Sequence, residues 1–129
     1  MKQFVLIVAS LYGMLSVILG AFGAHAFKSM LSSEKLTSFE TGVRYQMYHA
    51  IVLLIIGLAL SFSSPLEKWA AICLILGVFL FSFSIYFLSF SEYWGINLRI
   101  LGPVTPLGGF IMIIGWSLLM IYFIKYKII

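Results

Sequence analysis

Charge is the scarcest property of this sequence. Only 9% of its 129 residues are charged and 63% are hydrophobic, whereas a water-soluble domain carries about 25% charge to meet solvent. So few polar groups cannot clothe a surface in water, which leaves lipid as the natural solvent. Cysteine is nearly absent too. Cys73 is single, so the chain has no internal disulfide and gives no indication of redox compartment. Also missing is the alternation of apolar and polar residues that a membrane barrel requires. Runs such as Ile51-Val52-Leu53-Leu54-Ile55-Ile56 are apolar on every side, as a lipid-embedded helix must be because it satisfies its backbone internally. No nucleophile-and-base pattern, phosphate-cradling glycine loop or pair of catalytic carboxylates occurs, so an enzyme is not expected and no cofactor is implied.

What the chain does have is long stretches free of formal charge. Lys2 and Lys28 enclose 25 residues, Arg44 and Glu67 enclose 22, Lys68 and Glu92 enclose 23, and Arg99 and Lys125 enclose 25. A helix crosses a hydrocarbon layer of about 30 Å with about 20 residues. Each stretch therefore supplies one crossing and none supplies two. The spacing predicts spans over about Phe4 to Ala24, Tyr45 to Phe62, Trp69 to Phe90 and Leu107 to Ile124. The first could be mistaken for a secretory signal, with Lys2 in front and Ala24-His25-Ala26 behind. Its apolar core is longer than the usual 7–15 residues, so it reads as a retained anchor.

Residues 25–47 form the one sizeable polar segment. Ser32 or Ser33 can cap a helix start with Glu34 in the first turn, and Leu36, Phe39, Val43 and Met47 recur on one face. This predicts a short amphipathic helix lying on the membrane surface between the first and second spans. The fold class is then an all-α membrane protein, four transmembrane helices plus that surface helix, in a single domain over residues 1–129. Pro65 closes the turn after span two. Trp69 and Tyr93-Trp94 suit the two interfaces of span three, and Pro106 suits the first turn of span four.

Small residues supply candidate packing sites: Gly13, Ser16, Gly20 and Ala24 in span one, and Gly108, Gly109 and Gly115 in span four. Such residues let neighbouring backbones approach. Four spans place both termini on one side. Lys2, Lys68, Lys125 and Lys127 share that side, and Lys28, Lys35, Arg44 and Arg99 share the other. The basic residues tie, and we expect cytoplasmic termini in a bacterial plasma membrane. Scattered in this way, the net charge of +4 anchors the spans at headgroups and makes no nucleic-acid surface.

The candidate binding cluster is Glu40, Arg44, Tyr45, Tyr48 and His49, with His25 at the end of span one as a further member. On a helix Glu40, Arg44 and Tyr48 stack at intervals of four, and Glu40 and Arg44 are spaced for an ion pair. His49 lies at the edge of an apolar run, where an ionisable group faces protein or water. Two alternatives stay open for it: a structural hydrogen bond to a neighbouring helix, or substrate or proton contact. A metal site would need more closely spaced His, Cys, Asp or Glu ligands than the chain offers.

Three motifs in order, Gly20-Ala21-Phe22-Gly23-Ala24-His25-Ala26, then Phe39 to Ala50, then Thr105-Pro106-Leu107-Gly108-Gly109 with Gly115-Trp116, resemble domain-of-unknown-function family 423. That family consists of small bacterial multi-pass membrane proteins related to the eukaryotic transmembrane protein 256. Phe27 departs from the glycine the family commonly has before the lysine. The resemblance implies a multi-pass membrane protein and supplies no substrate. The expected function is a non-enzymatic assembly or accessory protein that binds membrane lipid or protein partners and forms a homo-oligomer. The alternative is a small transporter or channel for protons, ions or a small solute that uses Glu40, Arg44 and His49.

Overall fold

In a computed structural model describing residues 1–126, the chain forms α1 (Lys2–Ala24), a 3-10 turn (Ala26–Ser29), α2 (Ser33–Ala59), α3 (Pro65–Val78), a π turn (Phe79–Phe83), α4 (Ser84–Trp94), a second 3-10 turn (Arg99–Leu101) and α5 (Val104–Lys125). There is no strand among the described residues. Pro65–Trp94 runs as one 30-residue span through the π turn, so four helices among the described residues are long and apolar enough to cross a membrane, as the charge spacing predicts. Lys127, assigned above to the last interface, lies outside the described residues.

The surface helix is a correction. Ser33–Ala59 is one unbroken helix of 27 residues, and only the four-residue 3-10 turn Ala26–Ser29 separates it from α1. Ser32 caps α2 by accepting from Lys35 N at 3.3 Å. No proline interrupts the ladder between Ser33 and Ala59, so nothing turns the first half of the helix into the membrane plane. Its apolar face meets protein. Phe39 is buried, with its ring 4.9 Å from Tyr86, 5.2 Å from Phe27 and 5.9 Å from Phe90.

α3 starts with a reciprocal cap. The Ser64 hydroxyl accepts from Leu66 N at 3.2 Å, and Glu67 Oε2 accepts from Ser64 N at 2.8 Å. The preceding turn holds buried Phe62 at φ 57°, a left-handed conformation that bulky residues rarely adopt. α4 ends at Gly95, whose φ of 65° takes the same region without steric cost.

The bundle is built from two antiparallel pairs. α1 runs against α2: Lys2 Nζ donates to Leu58 O at 2.9 Å at one end, and Gly23 adjoins Phe39 at the other. α3 and the π turn run against α5, and their backbones touch where Gly77 crosses Gly108. A Cβ on Gly77 would lie 2.8 Å from Met112 N, and one on Gly108 would press on Phe81 N. A Cβ on Gly115 would lie 2.9 Å from the Leu74 side chain. Removing side chains at such a crossing brings dispersion contacts and helix dipoles close in a medium that offers no hydrophobic drive. One apolar core, including Val5, Leu53, Leu74 and Leu119, joins the two pairs, and an aromatic cluster of Phe39, Tyr86 and Phe90 closes the loop end.

Candidate functional site

The polar residues of α2 part company along the helix. Gln46 and His49, three positions apart, both turn inward and are buried. Glu40, Arg44, Tyr45 and Tyr48 are exposed, Tyr48 by 56%. The 3.6-residue repeat separates the two sets, since positions 40, 44 and 48 drift along one side while 39, 42, 46, 49 and 53 follow another.

The inward set is hydrogen-bonded across all four spans. Gln46 Nε2 donates to Tyr12 O of α1 at 2.9 Å, and Gln46 Oε1 accepts from the Tyr86 hydroxyl of α4 at 2.7 Å. The Tyr12 hydroxyl donates to Ile75 O of α3 at 2.9 Å. Within the π turn the Ser82 hydroxyl donates to Gly42 O at 2.8 Å. That approach depends on Gly42, where a Cβ would lie 2.8 Å from the Tyr86 ring.

His49 completes the set toward α5. Its Nδ1 donates to Tyr45 O at 2.7 Å, and its Nε2 accepts from Trp116 Nε1 at 3.1 Å. One nitrogen gives and the other receives, which is the arrangement of a neutral imidazole with its proton on Nδ1. The Tyr45 ring lies near-parallel to the imidazole at 6.3 Å and tilts against Phe81 at 5.0 Å. Chemically this is a consumed site. Both imidazole nitrogens are engaged, and no nucleophile shares a hydrogen bond with either.

The outward residues form no equivalent cluster. Glu40 and Arg44 border a shallow groove of about 180 Å³ between α2 and the Gly20–Gly23 stretch of α1. They make no ion pair with each other, and the one carboxylate–cation approach among the described residues is Lys35 Nζ to Glu92 Oε1 at 4.0 Å. His25 caps α1, exposed, with its amide donating to Phe22 O at 3.2 Å. Gln46 meets α1 at Tyr12, so His25 sits more than three turns, roughly 20 Å, along the bundle from that level. The structure does not bring the two histidines together. No group of three or more His, Cys, Asp or Glu side chains suited to a metal occurs among the described residues.

The packing residues are also sorted by the structure. Ser16 is buried without a partner for its hydroxyl, Gly13 and Gly20 meet Ala50 and Val43 at ordinary contact distance, and Ala24 is exposed. Gly109 meets only the Phe81 ring, at 3.7 Å. Sequence reasoning missed Gln46, Tyr86 and Trp116 as partners, and it missed Glu67, which is fully buried with Oε2 on the Ser64 amide and Oε1 unpartnered. Gln46 was findable: an amide in an apolar span must be satisfied by protein. Trp116 carries no such signal, because an indole also suits lipid.

Comparison with known proteins gives a consistent picture. The family described as "Protein of unknown function (DUF423)" matches residues 19–109. The chain is 42% identical over 126 residues to UPF0382 membrane protein SH2409 of Staphylococcus haemolyticus, covering 98% of each chain. It is 41% identical over 126 residues to UPF0382 membrane protein SERP0230 of Staphylococcus epidermidis, again covering 98% of each. Against UPF0382 inner membrane protein YgdD of Escherichia coli K12 the identity is 36% over 129 residues, covering 98% of this chain and 93% of that one. No solved structure matches.

Proposed function

We propose, from the premise that this chain belongs to the DUF423 family, that it is a non-enzymatic accessory protein of the membrane. It acts through its outer surface, on lipid and on protein partners that include further copies of itself. The observation that carries this reading is how fully the centre between the helices is hydrogen-bonded; the buried polar atoms without a partner among the described residues are Ser16 Oγ on α1, Glu67 Oε1 on α3 and Ser89 Oγ on α4. Gln46, Tyr86, Tyr12, His49 and Trp116 spend their polar atoms on one another and on backbone carbonyls. Satisfied networks of this kind rigidify a bundle. A transport path would need its polar groups to face one passage, whereas Glu40 and Arg44 are exposed, His49 is buried, and the unpartnered polar atoms sit on three different helices.

Glu40, Arg44 and Tyr48 then have the role of contact residues. Exposed charges near the mouth of a span are tolerated at headgroup level and favour a partner that supplies the complementary charge. We also take the termini to be cytoplasmic, an orientation that rests on no structural contact, since the basic residues tie between the two sides.

Reconstitution in liposomes with a pH-sensitive dye and tracer ions tests the proposal. The expected result is no flux with the native chain, a smaller oligomer fraction with Glu40→Gln and Arg44→Gln, and a lower unfolding midpoint with His49→Ala. Proton or ion flux that His49→Ala abolishes would overturn it.

A further inference from the structure

One polar recess is distinct from the hydrogen-bonded centre. It is a cleft of about 420 Å³ at the loop end of the bundle, between the start of α2, the end of α4 and the start of α5. Lys35, Ser38 and Thr41 line it from α2, Ser89 from α4 and Thr105 from α5, with Ile85 and Leu88 as its apolar wall. Five polar side chains converge here in a chain that is otherwise poor in them.

Their hydrogen bonds show what is free. The Ser84 hydroxyl donates to Phe81 O at 2.9 Å, so in its 2.6 Å contact with Thr105 it accepts, and the Thr105 proton is used. The Thr41 proton goes to Thr37 O at 3.1 Å. Both threonines therefore offer lone pairs only. Ser89 is 98% buried, and its hydroxyl has no partner at all. A buried hydroxyl left unpaired costs stability, and such groups in native structures have a reason. Lys35 is part-exposed, with Glu92 Oε1 4.0 Å from its Nζ. Near Thr105, α5 begins with neither a side-chain cap nor an acidic residue in its first turn, so the positive end of a 22-residue helix is uncompensated there.

We infer that this cleft binds a phosphoethanolamine headgroup. The phosphate takes hydrogen bonds from Lys35, Ser38 and Ser89 near the positive end of α5. The ammonium donates to Glu92 and to the lone pairs of Thr41. Lys35 and Glu92 carry opposite charges, so the site matches a zwitterion better than an anion. The phosphate ester could in principle come from a lipid or from a soluble compound. Ile85 and Leu88 favour the lipid, because they offer the glycerol and upper acyl carbons an apolar wall at interfacial depth. This deepens the lipid-contact reading above and rests on it.

The test offers the purified full chain in detergent equal amounts of phosphatidylethanolamine, phosphatidylglycerol and phosphatidylcholine with identical acyl chains, and reads retained lipid by native mass spectrometry. Phosphatidylethanolamine should be retained roughly tenfold over the other two, the worth of one charge-assisted hydrogen bond. Phosphatidylglycerol has no cation for Glu92, and phosphatidylcholine has no N–H to donate. Lys35→Gln and Ser89→Ala should each remove most of that retention, and Glu92→Gln should remove the preference over phosphatidylglycerol. Ser89→Ala deletes an unpaired hydroxyl, so its unfolding midpoint should not fall, which separates lost binding from lost fold. Equal retention of the three lipids, or native retention by Lys35→Gln and Ser89→Ala, overturns the inference. Displacement by soluble glycerophosphoethanolamine or inorganic phosphate at matching concentration overturns the lipid as source. A chain that conducts nothing yet does not discriminate headgroups overturns this inference alone, whereas flux overturns the parent reading.

Discussion

Tyr86 and Gln46 are joined by a buried hydrogen bond of 2.7 Å, and the other end of the same amide holds the Tyr12 carbonyl at 2.9 Å. A single side chain of α2 thus ties α1 to α4. Gln46 is completely buried, so neither of its polar ends has water as a substitute, and loss of one partner strands the other.

Gln46→Leu should therefore destabilise the bundle more than Tyr86→Phe. The leucine leaves the Tyr86 hydroxyl without an acceptor, whereas the phenylalanine frees only one lone pair of an amide that keeps its bond to Tyr12. A double-mutant cycle followed by unfolding in mixed micelles should give a coupling of about 0.6 kcal/mol and at most about 1.7, the average and the maximum for hydrogen bonds between membrane helices. Zero coupling would show that the two residues do not act as a pair.

The glycines make a second, sharper prediction. Gly108→Ala and Gly77→Ala place a methyl group against backbone atoms of the facing helix, which cannot rotate away. Each should cost about 2–3 kcal/mol, as overpacking does. Gly109→Ala, one residue along, meets only the edge of the Phe81 ring at 3.7 Å and should stay within about 0.5 kcal/mol. Unfolding midpoints in detergent check the ranking, and equal effects at Gly108 and Gly109 would rule out the close crossing.

These residues also show what was legible beforehand. The four spans follow from the spacing of Lys2, Lys28, Arg44, Glu67, Lys68, Glu92, Arg99 and Lys125, because the cost of burying charge in lipid is a local property of sequence. The direction of a polar helix is not local. Lys35, Glu40 and Arg44 suggest a helix resting on headgroups, yet Phe39, Gly42 and Gln46 on its other side find Tyr86, Ser82 and Phe90. That pairing depends on residues some 40 positions away. Gly77 was invisible for the same reason: one glycine in an apolar run says nothing until Gly108 is set against it. Within the candidate cluster, periodicity placed Tyr45 one turn before His49, where its carbonyl does accept from the imidazole. The Trp116 bond had no precursor in any spacing.

Glu67 gives a third prediction, because it combines a helix cap with complete burial. Ser64 N has Glu67 Oε2 as its acceptor at 2.8 Å. Ser64→Ala should cost about 1 kcal/mol, the usual worth of a cap. Glu67→Ala should cost more, since it strands the Ser64 amide and opens a hole where a fully buried side chain stood. Glu67→Gln keeps an oxygen acceptor and should be mildest. Thermal unfolding of the three variants in one detergent tests this order, and a harmless Glu67→Ala would show the cap to be dispensable.

The last prediction concerns the antiparallel course itself, which the contact of Lys2 Nζ with Leu58 O at 2.9 Å requires at one end of the bundle and that of Lys35 with Glu92 at the other. With Cys73→Ala as background, Ser29→Cys and Asn97→Cys occupy exposed turns at the loop end, and Ser63→Cys an exposed turn at the terminal end. A thiol reagent that cannot cross the membrane should reach Ser29→Cys and Asn97→Cys from one side and Ser63→Cys only after permeabilisation. If the termini are cytoplasmic, the first two are the ones labelled on intact spheroplasts. Labelling of Ser29→Cys and Ser63→Cys from the same face would mean that α2 does not cross the bilayer. Gln46 would then have no bundle interior to occupy, and the hydrogen bonds that carry the functional reading would have no place to form.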